Sequence, residues 1–177
     1  MPFPTAEFEA LVAAHYAPLY RFALSLARNE ADASDLTQQA FYLLATKGTQ
    51  IREQSKAKSW LATTLYREFL NSRRRSTRFE HVSIEQDAAE LPSVEPDLAR
   101  DLDGAAAITA LQNVPEPYRA PLTLFYLQDH SYQEIAEILD IPIGTVMSRL
   151  SRGKTELRHL LTEAPPANNI IPLRHQA

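Results

Sequence analysis

Residues 130–161, HSYQEIAEILDIPIGTVMSRLSRGKTELRHLL, constrain the fold of this chain more than any other stretch. Ser131 is followed three residues later by Glu134, the spacing of a capping box, which predicts that a helix begins there. The apolar turn Ile141–Gly144 ends that helix within a few residues, and Thr145 is the predicted N-cap of the next one. The stretch therefore predicts two short helices joined by a tight turn.

The second of these helices has two chemically different faces. At about 100° per residue, its apolar face collects Val146, Leu150, Gly153, Leu157 and Leu161. The opposite face carries hydroxyl and guanidinium groups, on Thr145, Ser148, Arg149, Arg152 and Thr155. This layout is typical of a helix-turn-helix whose second helix enters the major groove of DNA. The alternative is an ordinary helical hairpin with a solvated polar face.

The predicted DNA contacts of this motif differ in kind. Arg149 and Arg152 can reach either guanine or phosphate, and the sequence leaves both open. Lys154 and Arg158 are expected to hold phosphate. The whole predicted set is Thr145, Ser148, Arg149, Arg152, Lys154, Thr155 and Arg158.

The rest of the chain has the helical period as well. Glycine is scarce, with four in 177 residues, and no stretch alternates strictly between apolar and polar residues as a half-buried strand would. Apolar spacing predicts helices over 5–28, 32–47 and 56–75, and helical pattern from 103 to 163 with breaks at 115–117 and 141–144. The predicted fold class is all-α.

Charge divides the chain into two domains and a connecting segment. Residues 52–78 have a local net charge of +6, whereas residues 80–103 have −7 in a protein whose overall charge is −4. The acidic segment contains Pro92 and Pro96 and few large apolar side chains, which predicts a flexible linker rather than a core. The predicted organisation is a helical domain over 1–78, an acidic linker over 79–103, a helical domain over 104–164 and a tail over 165–177.

Several classes of protein are disfavoured by composition. The absence of cysteine excludes disulfides and thiolate metal sites, and no run approaches the roughly 20 apolar residues of a membrane span. We expect a soluble, cytoplasmic protein that makes no membrane contact by itself. The five histidines are scattered without paired-ligand spacing, which disfavours a metalloenzyme and predicts neither a cofactor nor a metal; they are His15, His81, His130, His159 and His175.

The carboxyl-terminal pattern resembles a known family. The segment LQNVPEPYRAPLTLFYLQDHSYQEIAEILDIPIGTVMSRL, with the basic residues after it, is similar to region 4 of sigma-70 RNA polymerase sigma factors, especially the extracytoplasmic-function (ECF) group. The resemblance implies that this domain reads the −35 promoter element and sits on the flap of the polymerase β subunit. Met147 replaces the usual lysine after "GTV", which implies the loss of one phosphate contact.

The first half resembles region 2 of the same family. The segment ASDLTQQAFYLLATKG is similar to region 2.2, and its polar face with an aromatic suits a protein contact, although an ordinary amphipathic surface remains the alternative. The resemblance implies docking on the coiled coil of the polymerase β′ clamp. The predicted core-polymerase contacts are Asp35, Gln38, Gln39, Phe41 and Tyr42.

The segment KAKSWLATTLYREFLNSRRR resembles regions 2.3 and 2.4, which recognise and melt the −10 element. Aromatic faces can catch unstacked bases, and cations can hold the phosphates of the strand. The predicted contacts are Trp60, Tyr66, Arg67, Asn71, Arg73, Arg74, Arg75 and Arg78, with a place in the core as the alternative for Trp60. Leu65-Tyr66-Arg67 and Asn71 replace the "A-R-N" and "D" of many relatives, so the −10 preference is expected to be unusual.

The two resemblances together predict an alternative sigma factor that is not an enzyme. Its implied partners are core RNA polymerase, promoter DNA and an anti-sigma factor. The principal alternative is a free-standing LuxR-type helix-turn-helix regulator; a nucleic-acid-processing enzyme and a protein-only adaptor are further alternatives. Promoter sequences, the inducing signal and the role of the tail cannot be read from the residues. As a hypothesis, the −7 linker screens the +6 block in the free protein until polymerase separates the domains.

Overall fold

A computed structural model describes residues 5–47, 54–77 and 104–163 of the chain. The described residues form seven α-helices and one turn of 3-10 helix over Gln54–Lys56. The helices are α1 (Thr5–Ala27), α2 (Glu30–Lys47), α3 (Ala57–Thr77), α4 (Gly104–Asn113), α5 (Glu116–Tyr126), α6 (Tyr132–Leu139) and α7 (Ile143–Glu163). The predicted all-α fold is confirmed.

Helices α1, α2 and α3 form the first bundle. Their apolar stripes meet in a core whose most deeply buried members include Phe22, Leu44, Leu61 and Leu65, each no more than 1% exposed. Trp60 lies partly buried against this core, as the alternative interpretation of that residue expected. Burial of these side chains holds the three helices together and leaves their polar faces outside.

The start of α2 differs from the prediction. The helix begins at Glu30 rather than Asp32, because the side-chain oxygen of Asn29 accepts a hydrogen bond from the Asp32 amide at 2.8 Å. Asn29 is thus the capping residue, and Asp32 occupies the third position of the helix. Arg28, immediately before it, has a φ of 64° and turns the chain between α1 and α2.

Helices α4 to α7 form the second domain, and α6 and α7 are its helix-turn-helix. The predicted capping box is confirmed: the Ser131 hydroxyl accepts from the Glu134 amide, and the Glu134 carboxylate accepts from the Ser131 amide. The buried side of α6 is also as predicted, formed by Ile135, Ala136, Ile138 and Leu139. Asp140 ends α6 in the left-handed conformation, with a φ of 54°.

The prediction that Thr145 caps α7 is wrong. The helix begins at Ile143, and the Pro142 carbonyl accepts hydrogen bonds from the amides of Thr145 and Val146 at 2.9 and 3.1 Å. Proline ends the turn and also provides the first carbonyl of the next helix, so the helix starts earlier than a threonine cap would allow. Thr145 therefore lies in the first turn of α7, partly exposed on its polar face.

Gly153 lets α7 approach α5 closely. A Cβ atom at this position would lie 2.8 Å from Cβ of Tyr118 and 2.9 Å from Cδ1 of Leu122. Val146, Leu150 and Leu157 are buried on the same face of α7, so the close contact lies within the predicted apolar stripe. The absence of a side chain at residue 153 therefore allows the short distance between α7 and α5.

The predicted linker over 79–103, Arg78 and the predicted tail over 165–177 lie outside the described residues. Within the described ranges, no helix has the length and apolar character needed to cross a bilayer.

Replacing Gly153 with alanine is expected to lower the free energy of unfolding by about 1–3 kcal/mol, because the new methyl group overlaps Tyr118 and Leu122. The matched control is Gly144→Ala in the first turn of the same helix, where nothing lies within 4 Å. The control is expected to leave stability unchanged or to raise it by up to about 1 kcal/mol. Urea denaturation of both variants measures the difference, and equal stabilities would contradict the close contact.

Candidate nucleic-acid interface

The outer face of α7 presents most of the predicted DNA contacts of the helix-turn-helix. Arg152, Thr155 and Arg158 are exposed, while Thr145, Ser148 and Arg149 are partly exposed. The Ser148 hydroxyl donates to the Thr145 carbonyl at 3.1 Å, which leaves its lone pairs available for an external donor. The guanidinium groups of Arg149, Arg152 and Arg158 supply the donors that this face needs to approach phosphates and base edges.

Lys154 departs from the rest of the set. Its side chain is only 8% exposed, although phosphate binding was predicted for it. It directly follows Gly153, the residue at which α7 lies against Tyr118 and Leu122. A phosphate contact by Lys154 therefore requires a rearrangement that Arg152 and Arg158 do not need.

Helix α3 carries the second predicted DNA surface. Arg67, Asn71, Arg74 and Arg75 are exposed along it, and Tyr66 is partly buried. The Tyr66 ring lies 6.4 Å from that of Phe69, and burial raises the pKa of its hydroxyl, against the smaller lowering effect of Arg149 and Arg73. A half-buried, neutral aromatic beside several guanidinium groups matches the chemistry needed to stack a base and hold its phosphate.

Arg73 on α3 is already engaged within the protein. Its guanidinium forms an ion pair with Glu116 at the start of α5 and lies 5.8 Å from the centre of the Phe69 ring. Glu116 is the first residue of α5 in the second domain, so this pair joins the two domains. A phosphate contact by Arg73 would therefore have to displace Glu116.

The predicted protein-binding face of α2 is largely present at the surface. Asp35, Gln38 and Gln39 are exposed, and Tyr42 is 63% exposed, the largest value among the exposed large hydrophobic residues of the described ranges. Phe41 does not join this face, because it is only 6% exposed. Its ring packs edge-on to Phe8, with the centroids 6.4 Å apart, and stacks on Tyr16 at 5.9 Å. Phe41 therefore packs in the core between α1 and α2, under the exposed polar face of α2.

The predicted −10 surface lies against the second domain, because Arg73 on α3 pairs with Glu116 on α5. A groove of about 860 Å³ opens beside the Arg73–Glu116 pair, and its lining includes Asp35 and Gln39 of the α2 face. The lining of this groove contains both signs of charge, from Arg28, Arg75 and Arg119 and from Asp32 and Glu68. In the described part of the chain, no group of histidine and carboxylate side chains is placed to hold a metal ion.

Sequence reasoning missed the residues that join the domains. They are Ser25, Ser59, Gln112, Thr123, Gln128 and Glu116, and each pairs with a residue far away in sequence. Periodicity assigns a residue to a face of its own helix and gives no information on which other helix covers that face. Of these residues, Glu116 lies in the segment that resembles region 4, but that resemblance gave no information on its partner Arg73.

The fold and these two surfaces define a helix-turn-helix protein with a second, aromatic and arginine-rich domain. Residues 11–79 match the family described as "Sigma-70 region 2", and residues 105–157 match "Sigma-70, region 4". The ECF RNA polymerase sigma factor SigL of Mycobacterium tuberculosis is 32% identical over 161 residues, which cover 89% of this chain and 90% of that protein. The chain belongs to the ECF group of the sigma-70 family of RNA polymerase sigma factors.

Other relatives give the same assignment. SigM of Bacillus subtilis is 28% identical, covering 80% of this chain and 87% of that protein. SigE of Mycolicibacterium smegmatis is 31% identical over 88% of this chain, which spans only 62% of the length of that relative. The alternative of a LuxR-type regulator is not supported, because the first domain matches region 2.

Solved structures agree with the fold. The sigma factor RpoE of Bartonella quintana, in complex with the anti-sigma factor NepR, superposes with a TM-score of 0.69 and 28% identity over 90% of this chain and 99% of that one. CnrH, in complex with the cytosolic domain of CnrY, has the same fold, with a TM-score of 0.62 and 20% identity over 92% of each chain.

His130 lies buried where the second domain meets α3. Its side chain is 0% exposed, and neither ring nitrogen has a hydrogen-bond partner among the described residues; Glu134 is 3.7 Å away, beyond hydrogen-bond distance. Burial and, less strongly, the charge of Lys58 lower its pKa, while Glu134 and Asp129 oppose this. An ordinary histidine has a pKa of 6.5, and burial lowers the pKa of His130 further. The imidazole is therefore neutral at pH 7.

His130→Leu is expected to remove a pH dependence of stability. Because the folded pKa lies below 6.5, the unfolded chain binds more protons, and wild-type stability falls as pH drops below 6.5 towards the folded value. Urea unfolding at pH 7.5 and pH 5.5 measures this loss. The control, Thr46→Leu, adds a leucine at an exposed position of α2 without removing a titratable group, and should keep the wild-type pH response. A His130→Leu protein with that same response would contradict the assignment.

Proposed function

We propose that this chain works as an alternative sigma factor, which binds core RNA polymerase and directs it to promoters by sequence. The observation that carries this proposal is the presence, in one chain and in the family's order, of a region 2 bundle and a region 4 helix-turn-helix. A free-standing transcriptional regulator would need only the helix-turn-helix domain, because it binds duplex DNA without polymerase. Promoter selection by a polymerase needs both.

Region 4 is proposed to read the −35 element through α7. Exposed Arg152, Thr155 and Arg158 project from the outer face of this helix, and its buried face is fixed on α5 by the close contact at Gly153. A rigidly supported recognition helix can place its donors at base edges within the tolerance that hydrogen bonds require. The same domain is proposed to sit on the flap of the β subunit.

Region 2 is proposed to capture the melted −10 element on α3. Stacking on an aromatic side chain contributes about 1–3 kcal/mol per base, which offsets an unstacking cost of a few kcal/mol. Tyr66 supplies the partly exposed ring, and Arg67, Asn71 and Arg74 supply exposed polar groups beside it. No nucleoside triphosphate is needed for such a step, in agreement with the absence of a phosphate-binding GxxxxGK[ST] loop from the sequence.

The exposed face of α2 is proposed to dock on the β′ clamp. Asp35, Gln38, Gln39 and the 63% exposed Tyr42 form a polar rim around an aromatic anchor, the usual anatomy of a protein contact. An anti-sigma factor is proposed as a further partner, because the structural relative RpoE is in complex with the anti-sigma factor NepR. We further propose that the chain has no catalytic activity or cofactor of its own and acts in the cytoplasm.

Run-off transcription tests this function directly. Core polymerase with this chain is expected to initiate at discrete sites on genomic fragments, whereas core polymerase alone is expected to give only background transcripts. Sequencing the 5′ ends of these transcripts identifies the promoters that the chain selects. Purified chain that fails to bind core polymerase, or binds without conferring start sites, would refute the proposal.

Arg152→Ala, measured in the holoenzyme, is expected to weaken promoter binding and leave core binding unchanged, because Arg152 is exposed on the outer face of α7. If Arg152 contacts phosphate, the slope of log K against log salt falls by about 1; if it contacts guanine, discrimination at one position falls by about 1–3 kcal/mol. The matched control is Arg21→Ala, an exposed arginine on α1. Equal losses in both variants would contradict the role.

A further inference from the structure

Arg119 is a buried arginine whose terminal nitrogens have no hydrogen-bond partner in the described part of the chain. Its side chain is only 9% exposed, and Nε donates to the Val114 carbonyl at 2.7 Å. A guanidinium carries five N–H donors, so this bond leaves the four donors of the two terminal nitrogens available. Arg119 lines the groove of about 860 Å³ beside the Arg73–Glu116 pair, so a ligand in the groove can reach these donors.

Two more arginines lie close to this guanidinium. Burial lowers the pKa of Arg119, and the positive charges of Arg28 and Arg73 lower it further. Arg73 is paired with Glu116, whereas Arg28 and Arg119 make no ion pair with any residue that the structure describes. Like charges held close together repel one another, and a bound anion would replace that repulsion with attraction.

Arg28 occupies a backbone position that favours glycine. It follows α1 with a φ of 64°, and its amide donates to the Leu24 carbonyl at 3.0 Å, the pattern of a helix that ends in the left-handed conformation. Glycine is the usual residue at such a position, because any side chain adds steric strain at a positive φ. The arginine adds a guanidinium group to the lining of the groove in spite of this strain.

The rest of the lining indicates what the anionic group is attached to. It includes carboxylates and apolar side chains, from Asp32, Asp35 and Glu68 and from Leu26, Leu36 and Phe69. A bare phosphate would fill a small part of this groove, whose volume is in the range of about 300–1,000 Å³ that is usual for ligand pockets. Carboxylates accept hydrogen bonds from amino and hydroxyl groups but repel the phosphates of a continuous DNA strand. The lining therefore favours a ligand with a confined anionic group and a neutral remainder rich in donors.

We propose that this groove is a binding site for a nucleoside diphosphate, with Arg119 and Arg28 each holding one of the two phosphate groups. An arginine fork matches two oxygens of one phosphate, so two arginines without internal ion pairs suit two linked phosphates. The ribose hydroxyls and the amino group of the base have Asp32, Asp35 and Glu68 as acceptors. The inference concerns binding rather than hydrolysis, and it does not rest on the proposed function.

Isothermal titration calorimetry of the full chain tests the site, with ADP, GDP and inorganic pyrophosphate as probes at one ionic strength and without divalent cations. ADP or GDP is expected to bind at least about tenfold more tightly than pyrophosphate, because the nucleoside adds hydrogen bonds to carboxylates that pyrophosphate cannot make. Pyrophosphate that binds as tightly as both nucleotides would overturn the assignment to a nucleotide. A chain that binds none of the three probes would overturn the site altogether.

Arg28→Gly separates binding from folding. Glycine suits a φ of 64°, so this variant is expected to unfold at the same urea concentration as the wild type or at a higher one. Its affinity for the tighter nucleotide is expected to fall at least about tenfold, because charge-assisted bonds to a phosphate are lost. The control, Arg21→Ala, removes an exposed arginine of α1 outside the groove lining and should bind like the wild type. Equal affinities in these two variants would overturn the site.

Arg119→Lys keeps the positive charge but cannot bind the Val114 carbonyl and present a planar fork to a phosphate at the same time. Its nucleotide affinity is also expected to fall at least about tenfold, and an unchanged affinity would contradict the role of Arg119.

Oligothymidylate, added as a competitor, distinguishes a nucleotide from a DNA strand. It is expected to leave the bound nucleotide in place, because the carboxylates of the groove repel a continuous strand. Displacement by oligothymidylate, with an equal loss of its affinity in Arg28→Gly, would assign the arginines to DNA and overturn the site. These measurements contain no polymerase, so their outcome is independent of whether the chain directs transcription.

Discussion

The arrangement of this molecule depends on α1, which serves two domains at once. One side of the helix contributes Phe22 and Leu26 to the core of region 2, while Ser25 and the carbonyls of Pro18 and Leu24 bind side chains of region 4. An apolar stripe alone would permit many docking positions. Hydrogen bonds to fixed backbone carbonyls select one of them, because a buried amide or hydroxyl without its partner costs about 1–3 kcal/mol.

Within region 4, the position of α7 depends on two local structural features, the cap of α6 and the turn between α6 and α7. The capping box at Ser131 and Glu134 sets where α6 begins, and the left-handed Asp140 with the Pro142 carbonyl sets where α7 begins. Gly153 then brings α7 against α5 at a fixed distance. The polar face of α7 is thus positioned by the cap of α6, by the turn and by the buried side of α7, which together hold a candidate binding surface rigid.

The sequence predicted the features that depend on residues close together in the chain, and it missed the contacts between residues far apart. Helical periodicity and the Ser131–Glu134 spacing located the helices and the motif, because their signals lie within a few residues of each other. The place of Thr145 was mispredicted because the Pro142 carbonyl satisfies its amide. Burial of Phe41 depends on Phe8 and Tyr16, and the Ser25–Thr123 bond joins residues 98 apart. No local pattern indicates such partners, so neither the covered aromatic nor the hydrogen bonds between the domains were foreseen.

The ion pair between Arg73 and Glu116 gives ionic strength two opposite effects on the free protein. Both side chains are about two-fifths exposed, so added salt screens their attraction and weakens the closed pair. The same salt weakens the attraction between exposed arginines and DNA phosphates. Because a phosphate that binds Arg73 must displace Glu116, its affinity for this arginine falls less steeply with added salt than the attraction between arginine and phosphate alone would predict. The salt response of this arginine is therefore set by a carboxylate of the other domain.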